Sequence, residues 1–357
     1  MKKIICLILC LVMTCGMLIG CDDEEFPDPS IYPETQSKLE RLTLNLYIVC
    51  GDNMAENAKV SVKERIAGYV KTSEHNAVLN VHYVKASEYE STVTAAINNG
   101  GENAPHIILI NSVDMFNSLH KAEGGSKLLD LTDYYNSSKY KTLKTQIAES
   151  LLSSSRVDEG KLYTVPNNHV VDEYTYLVVN KEVEKSFHEP YLSSIKNFKS
   201  LEDAAAVMEK ITKAGYNAND YIYVVNGPYE LKAKIEAEGN YCNVIKYPTA
   251  TEAEAFSSAF AIVKNSLQQY NDRAMQIIYA LNNDLELRNL LQYGVLGANY
   301  DLVNGEVVRK KDSVNFYDMD LLYTGNVFNA TYCSELGWTS STRANGLKQN
   351  EESVSVK

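Results

Sequence analysis

The sequence lacks the residue patterns on which the common classes of enzyme depend. Its 357 residues contain no G-x-S-x-G, H-E-x-x-H, P-loop or G-x-G-x-x-G, which are standard ways of placing a nucleophile, a zinc ion or a nucleotide. The six histidines are scattered, and His82 and His106 lie within apolar runs typical of strands. We interpret them as structural and predict no catalytic residue, no cofactor and no metal site.

Positive charge is also scarce. Lysine and arginine number 34 against 46 acidic residues, which gives a formal net charge of −12. The charge becomes −14 if the first residues, which carry Lys2 and Lys3, are removed. Nucleic acids and anionic lipid surfaces attract basic proteins, so we expect neither as a partner.

What the amino terminus does contain is the pattern of a secretory signal. Two lysines precede Ile4–Gly20, an apolar segment without charge, which ends in Leu-Ile-Gly immediately before Cys21. This order is typical of a bacterial lipoprotein signal peptide over residues 1–20, with Cys21 acylated. The alternative is an uncleaved membrane anchor, since the apolar segment is near the lower limit for a span. Both interpretations place the protein outside the cytoplasm, and the first attaches it to the cell membrane by lipid.

Cysteine is scarce in the remaining chain. Of seven cysteines, three lie within the signal peptide and Cys21 takes the lipid, which leaves Cys50, Cys242 and Cys333. An odd number without C-x-x-C or Cys/His spacing argues against a disulfide framework and against a zinc site. We interpret the three as buried structural thiols.

The chain beyond residue 41 alternates between strand and helix patterns. Leu42–Val49 and Leu79–Val84 are typical of strands, and His106–Ile110 is a continuous apolar run suited to a central parallel strand. Between the first two, apolar residues recur at helical spacing from Val62 to Val70. Farther on, Asn304-Gly305 between two short apolar runs predicts a hairpin. Strands that alternate with helices indicate an α/β fold.

Residues 160–181 read GKLYTVPNNHVVDEYTYLVVNK and contain two apolar runs, Leu162–Val165 and Tyr174–Val179. This block resembles the hinge region of bacterial extracellular solute-binding proteins of the maltose-binding type. The run A-P-H-I-I-L-I at 104–110 is similar to a strand of that family, and F-S-S-A-F-A-I at 256–262 is similar to its second crossing. The resemblance extends over 42–338. It implies a two-lobed, type II periplasmic-binding-protein-like α/β fold with hinge strands between the lobes.

These patterns also divide the chain. We expect lobe 1 to comprise 42–176 with 258–305, and lobe 2 to comprise 177–257 with 306–338. A tether at 21–41 and a polar tail at 339–357 flank them. Both flanks are expected to be disordered, because polar segments without an apolar period cannot bury enough surface to offset their ordering entropy.

The resemblance implies a function in solute capture. Such proteins bind a small-molecule solute between their lobes and deliver it to the permease subunits of an ABC importer. We therefore expect those subunits as partners, together with the membrane through the lipid on Cys21. A surface receptor or adhesin without a transporter is the first alternative, and an exported enzyme is the second.

Candidate ligand-binding residues lie mainly in loops that follow predicted strands. They are Asp52, Asn53, Ser112, Asn167, Asn168, Asn226, Tyr229, Asn326 and Trp338. Most of these loops carry neutral hydrogen-bonding groups rather than the arginine that a ligand carboxylate favours, so a neutral solute such as a sugar or oligosaccharide is expected. The 25 tyrosines suit sugar rings, although tyrosine is also a common core and strand residue.

Two features each have two explanations. Trp338, the only tryptophan, is either a stacking platform for the ligand or an anchor for the C-terminal segment. Asp318 and Asp320 are either part of a cation site or of a solvated loop. Hard cations take several oxygen ligands, and the sequence near this pair offers too few, so the loop is favoured.

Overall fold

The computed structural model of the protein describes residues 40–182, 197–311 and 314–355. The predicted signal peptide, Cys21 and nearly all of the predicted tether lie outside the described residues. In the described part of the chain, no helix combines the length and the apolar character that a membrane span requires.

The structure contains short strands and helices in alternation. The strands are β1 Leu42–Cys50, β2 Ala77–Lys85, β3 Ile107–Ile110, β4 Arg156–Val157, β5 Lys161–Leu162, β6 Thr164–Pro166, β7 Tyr174–Asn180, β8 Ile222–Gly227, β9 Asn240–Lys246, β10 Thr249–Ala250, β11 Ala259–Ile262, β12 Tyr300–Val303, β13 Glu306–Arg309 and β14 Val354–Ser355. The helices are α1 Glu56–Thr72, α2 Tyr89–Asn99, α3 Val113–His120, α4 Thr132–Asn136, α5 Lys141–Gln146, α6 Glu149–Ser154, α7 Leu201–Lys213, α8 Leu231–Ala237, α9 Glu252–Ala255, α10 Gln268–Asn283, α11 Leu285–Tyr293 and α12 Ser340–Glu352.

Lobe 1 is built on a five-stranded sheet with the order β2-β1-β3-β11-β6. β1 is parallel to β2 along its whole length and parallel to β3 at Leu46 and Tyr47. β11 is antiparallel to both β3 and β6, so β6 runs in the same direction as β1, β2 and β3. The carboxyl ends of these four strands therefore lie together, at what we name the carboxyl edge of lobe 1.

The core of lobe 1 forms where the sequence predicts it. All four residues of β3 are 0% exposed, as expected for a continuous apolar run in the middle of a sheet that is covered on both faces. α1 packs into the core of lobe 1 through Val62, Ile66 and Val70, each 0% exposed and spaced four residues apart. The helical interpretation of this segment is confirmed.

Tyr89 joins β1 and β3 where their pairing ends. The two strands pair only at Leu46 and Tyr47, and beyond that point they separate. The hydroxyl of Tyr89, which is 0% exposed, donates to the Tyr47 carbonyl at 2.8 Å and accepts from the Leu109 N–H at 2.8 Å. One buried hydroxyl thus holds the two strands together just below the carboxyl edge.

Lobe 2 is smaller and is built on a three-stranded antiparallel sheet with the order β8-β7-β9. Alternate side chains of the central strand β7 point to opposite faces. Leu177 and Val179 pack with α7, while Tyr174, Tyr176 and Val178 pack on the other face with Ile235 of α8. Both faces of β7 are therefore buried, which explains its continuous apolar run.

Within the described residues, the chain passes between the lobes through two segments. Crossing 1, residues 168–173, leads from β6 at the carboxyl edge to β7. Crossing 2, residues 247–251, leads back from β9 towards β11, and it contains β10, which pairs with β14 near the end of the chain. The predicted hinge runs therefore flank these crossings, β7 within the sheet of lobe 2 and β11 within the sheet of lobe 1.

Residues 306–338 are expected in lobe 2, whereas the structure packs this region on lobe 1. Tyr317 and Met319 lie in the core cluster of lobe 1, and the hydroxyl of Tyr317 donates to the Leu291 carbonyl on α11 at 2.9 Å. The physical reason is that apolar and acidic residues alternate along 317–320, so one side of this segment can be buried against lobe 1. Tyr317 and Met319 point inward, while Asp318 and Asp320 between and after them point away from the core.

The expectation of a disordered tail at 339–357 is wrong for its described part. Thr339 and Thr342 form a capping box that starts α12, and β14 follows. Composition misses this helix because its buried residues are not apolar. They are Gly346, Gln349 and Asn350, which pack by close approach and by hydrogen bonds.

The three remaining cysteines are free and buried, as predicted. Burial raises the pKa of the Cys242 thiol to about 11, and it also raises the pKa of Cys50 and of Cys333. Thiols of this kind are inert packing groups at neutral pH. Their role in the fold is therefore structural.

Candidate functional site

A cavity of about 490 Å³ lies at the carboxyl edge of lobe 1. Its walls come from the end of β1 and the loop after it, from the residue after β2, and from the segment 318–336. The lining residues are Val49, Cys50, Gly51, Asp52, Ala86, Asp318, Met319, Asp320, Leu321, Tyr323 and Leu336. Within the described residues, lobe 2 contributes nothing to this lining.

Gly51 fixes the position of the acidic wall. Its N–H donates to the Asp318 carbonyl at 2.9 Å, and its lack of a side chain allows the Asp318 carboxylate to pack directly against it. A Cβ atom at Gly51 would overlap that carboxylate. Four residues later, the Ala55 N–H donates to the Phe316 carbonyl at 2.9 Å. The loop after β1 and the segment 316–318 therefore form one unit.

A buried arginine binds the backbone of the segment that carries two cavity residues. Arg288 of α11 is 0% exposed, and its guanidinium donates to the carbonyls of Asn326 at 2.9 Å and Leu321 at 3.3 Å. Burial lowers the pKa of Arg288 to about 10, so the side chain stays charged at neutral pH. The cation thereby organises the backbone of 321–326, which carries the cavity residues Leu321 and Tyr323.

The cavity is lined by three aspartates, and the negative charge of one of them, Asp318, is paired with an arginine. Arg309 donates to Asp318 at 2.8 Å and to Glu335 at 2.6 Å, and the hydrogen bond to Arg309 holds the pKa of Glu335 below its ordinary value. Asp320 uses one carboxylate oxygen to accept the Leu322 N–H at 2.8 Å. Asp52 is exposed. The cavity thus offers carboxylate oxygens that accept hydrogen bonds, beside the aromatic ring of Tyr323.

Solved structures share this architecture. The N-glycan transport solute binding protein NgtS from Streptococcus pneumoniae, in complex with Man1GlcNAc, superposes with a TM-score of 0.54 at 16% sequence identity, over 88% of this chain and 84% of that chain. NgtS in complex with Man5GlcNAc gives a TM-score of 0.54 at 17% identity, over 88% and 83%. The chain has the fold of an extracellular solute-binding protein. No family model matches its sequence, and no curated protein matches it.

The solute-binding fold confirms the predicted fold class, a two-lobed α/β architecture. It also allows the position of the cavity to be compared with the usual position of ligands in α/β folds. In open α/β sheets, ligands bind in the crevice beyond the carboxyl ends of the parallel strands. The cavity lies at that edge, which is also the edge from which crossing 1 leaves for lobe 2.

The structure distributes the predicted ligand residues unevenly. Asp52 lines the cavity, and Asn53 is exposed beside it. Ser112 follows β3, but its hydroxyl accepts the Met115 N–H at 3.0 Å and is used as the N-cap of α3. Only the first of these three is therefore a direct part of the cavity in this arrangement.

Three predicted asparagines meet near the start of crossing 1, and all three are buried. Asn167 donates to the Ser258 hydroxyl at 3.0 Å and to the Leu322 carbonyl at 2.9 Å. Asn168 accepts from the Ala148 N–H at 3.0 Å, and its carbonyl accepts from Val327. Asn326 caps the turn at 327–329. In this arrangement their amides hold the chain rather than face open space.

Asn226 and Tyr229 belong to lobe 2, apart from the cavity. Asn226 is exposed near the end of β8. The backbone N–H of Tyr229 donates to Gln349 at 3.0 Å, and its ring contacts Tyr174 and the ammonium of Lys348. Their role as ligand residues stays a prediction that requires lobe 2 to approach lobe 1.

Trp338 lies in a small apolar cluster with Val327, Phe328 and Ala330. It is 4% exposed, and its indole meets Phe328 edge to face at 5.6 Å between ring centroids. A stacking platform needs an accessible ring face, so this geometry favours the anchoring alternative.

Tyrosine abundance has a structural explanation in much of the core. Several buried tyrosines donate a hydrogen bond from the side-chain hydroxyl to the backbone carbonyl of another residue. They include Tyr89, Tyr135, Tyr293 and Tyr317. Each ring fills volume while its hydroxyl satisfies a polar backbone group. The number of tyrosines is therefore a weak argument for a sugar ligand, and Tyr323 is the tyrosine that lines the cavity.

The residues that sequence reasoning missed as ligand candidates are Asp318, Asp320 and Tyr323. The sequence indicates the two aspartates only as part of a cation site or of a solvated loop. In the part of the chain that the structure describes, no group of three or more His, Cys, Asp or Glu side chains is placed to hold a metal ion. The signal that points to them is their alternation with buried Tyr317 and Met319, which indicates a strand-like segment with one polar face.

Proposed function

We propose that this protein is the substrate-binding lipoprotein of an ABC importer and that it captures a neutral carbohydrate at the carboxyl-edge cavity. Cys21 carries the lipid that holds the protein on the outer side of the cell membrane. The cavity at the carboxyl edge of a solute-binding fold is the observation that carries the proposal. The absence of recognised catalytic motifs in the sequence agrees with a binding role.

The chemistry of the cavity supports a polyhydroxylated ligand. Carboxylate oxygens accept hydrogen bonds from sugar hydroxyls, and the ring of Tyr323 offers an apolar face of the kind that sugar rings cover. The cavity volume of about 490 Å³ falls within the range typical of small-molecule sites. The complexes of NgtS with Man1GlcNAc and Man5GlcNAc lend further support, since that protein shares the fold.

The proposal is tested by calorimetric titration of the mature protein with a panel of solutes. The panel comprises mannose, Man5GlcNAc, maltotriose, a mixture of amino acids and a tripeptide. We expect a saccharide to bind and the amino acids and tripeptide to give no heat. Binding of the amino acids or the tripeptide alone would contradict the sugar assignment.

Two amide substitutions locate the site. Asp52→Asn and Asp320→Asn keep the size of the side chain but remove its charge, and the amide introduced by Asp320→Asn retains an oxygen that accepts the Leu322 N–H. A hydrogen bond to a charged group contributes about 1.5–3 kcal/mol, so each variant should bind the saccharide roughly tenfold to a hundredfold more weakly. Asp133→Asn, at an exposed position on α4, is the matched control. Equal affinity in all three variants would place the ligand elsewhere.

A further inference from the structure

Helix α12 is fixed to lobe 1 at both ends. Near its start, the side chain of Arg343 donates to the Phe328 carbonyl at 2.8 Å. Gly346 then packs so closely that an added Cβ atom would lie 3.2 Å from the Phe328 ring and 2.5 Å from the Val170 side chain in crossing 1. Just after the helix, the Ser353 hydroxyl lies 2.5 Å from that of Ser150 on α6. The helix therefore moves with lobe 1.

Gln349 connects this helix to lobe 2. Its amide nitrogen donates to the Val171 carbonyl at 2.8 Å and also to that of Asp172, both in crossing 1. Its amide oxygen accepts from the backbone N–H of Tyr229, in the loop after β8, at 3.0 Å. The side chain is 2% exposed. One buried amide thus binds crossing 1 and lobe 2 at once.

Asn350 binds crossing 1 from the next position. Its oxygen accepts from the Val171 N–H at 2.9 Å, and its nitrogen donates to the His169 carbonyl at 2.7 Å. Buried backbone groups need hydrogen-bond partners, and an irregular segment cannot obtain them from a sheet. The amides of α12 supply them, so crossing 1 is held in one conformation.

Two further contacts lie at the carboxyl end of α12. The hydroxyl of Tyr174, the first residue of β7, donates to Glu352 at 2.9 Å. The Val354 N–H then donates to the Pro248 carbonyl in crossing 2 at 2.9 Å. Through α12 and the strand β14 that follows it, the C-terminal segment therefore reaches both crossings and the start of the central strand of lobe 2.

We infer that α12 is a brace that opposes closure of lobe 2 over the carboxyl-edge cavity. In the observed arrangement lobe 2 adds nothing to the described lining, and the bonds of Gln349 and Tyr174 hold it in that position. Rotation of lobe 2 towards the cavity has to break or bend these bonds. The part of the inference that concerns ligand affinity rests on the proposed function. The part that concerns lobe separation does not, because that distance can be measured without ligand.

The consequence for affinity has an unusual sign. When a ligand binds best to a closed state, its apparent affinity is reduced by the fraction of molecules that are not closed. Weakening the brace increases the closed fraction, so it should tighten binding. A substitution that merely damaged the structure would weaken binding instead.

The test compares Gln349→Ala with wild type and with Gln269→Ala, a matched change at an exposed position on α10. Tyr174→Phe is the milder second variant, since it removes one bond to α12 and keeps the aromatic ring. It keeps the test decisive if Gln349→Ala fails to fold. Spin labels at Glu90→Cys on α2 and at Asn219→Cys in lobe 2 report lobe separation by double electron–electron resonance. The native cysteines Cys50, Cys242 and Cys333 are buried, and a protein without the introduced pair controls for labelling of native cysteines.

Without ligand, we expect a broader distance distribution with a shorter component in Gln349→Ala and Tyr174→Phe than in wild type or Gln269→Ala. With Man5GlcNAc, or another saccharide that the wild type binds, we expect Kd to fall at least about threefold in Gln349→Ala. Distributions that coincide in all four proteins would overturn the inference. A broadened distribution with unchanged or weaker affinity would refute the claim that the brace opposes closure. Failure of every saccharide to bind would count against the proposed function and leave the distance test standing.

Discussion

Replacing Tyr89 by Phe removes one hydroxyl from the point where β1 and β3 separate. The ring remains, so the volume of the core is kept. The hydroxyl is lost to two buried partners, the Tyr47 carbonyl and the Leu109 N–H, each 2.8 Å away. Neither group has access to water, because Tyr89 is 0% exposed and the strands around it are buried.

The magnitude follows from these two groups. A buried polar group left without a partner costs about 1–3 kcal/mol, so two such groups set a range of about 2–6 kcal/mol. Two effects reduce the net loss of stability. The strands can relax partly around the two groups, and phenylalanine has no hydroxyl that must lose its water when the protein folds. We expect the free energy of unfolding to fall by about 2–4 kcal/mol, which is a large part of the stability of an ordinary domain.

Urea denaturation, followed by circular dichroism and by the fluorescence of Trp338, measures this loss. Coincident transitions from the two probes justify a two-state analysis, and Trp338 is buried on lobe 1, so its emission responds when that lobe unfolds. Tyr247→Phe is the matched control, because Tyr247 is 49% exposed. A loss below about 0.5 kcal/mol in Tyr89→Phe, similar to that of the control, would refute the role assigned to the hydroxyl.

Two further predictions concern other parts of the chain. Cys21→Ser should abolish incorporation of radiolabelled palmitate and cleavage by the lipoprotein signal peptidase, and continued labelling would rule the anchor out. Burial raises the pKa of Glu254 above its ordinary value of 4.5, so this carboxyl stabilises the fold fully at low pH and loses that contribution as the pH rises. Relative to wild type, Glu254→Gln should therefore be more stable at pH 7 than at pH 4 by urea denaturation, and a pH-independent difference would contradict this sign.

Local patterns were sufficient for most elements of the fold. The apolar run at 106–110 predicts β3, and the polar turn Asn304-Gly305 predicts the hairpin of β12 and β13. In the structure, Asn304 and Gly305 have φ values of 54° and 80°, the left-handed conformation that this type of hairpin turn requires. Such signals are readable because they depend on neighbouring residues only.

The candidate site was harder to predict because it depends on contacts between distant segments. Asp52 follows β1 directly, so the end of a strand indicates it. Asp318 and Asp320 reach the same cavity from a distant part of the sequence, through the close approach of Asp318 to Gly51. Likewise, nothing local shows that Asn167 and Asn168 turn inward, since their partners lie on other segments. Polar residues in a loop are equally suited to a ligand and to the protein backbone.

The brace also has a consequence for the order in which the chain is made. Asn350 and His169 are 181 residues apart in sequence, so crossing 1 is synthesised long before the amides that bind it. At an elongation rate of about 5–20 residues per second, that interval lasts roughly 10–35 s. During it, water must satisfy the carbonyls and N–H groups of crossing 1. Crossing 1 can therefore reach its observed conformation only after Gln349 and Asn350 have been made and α12 has docked.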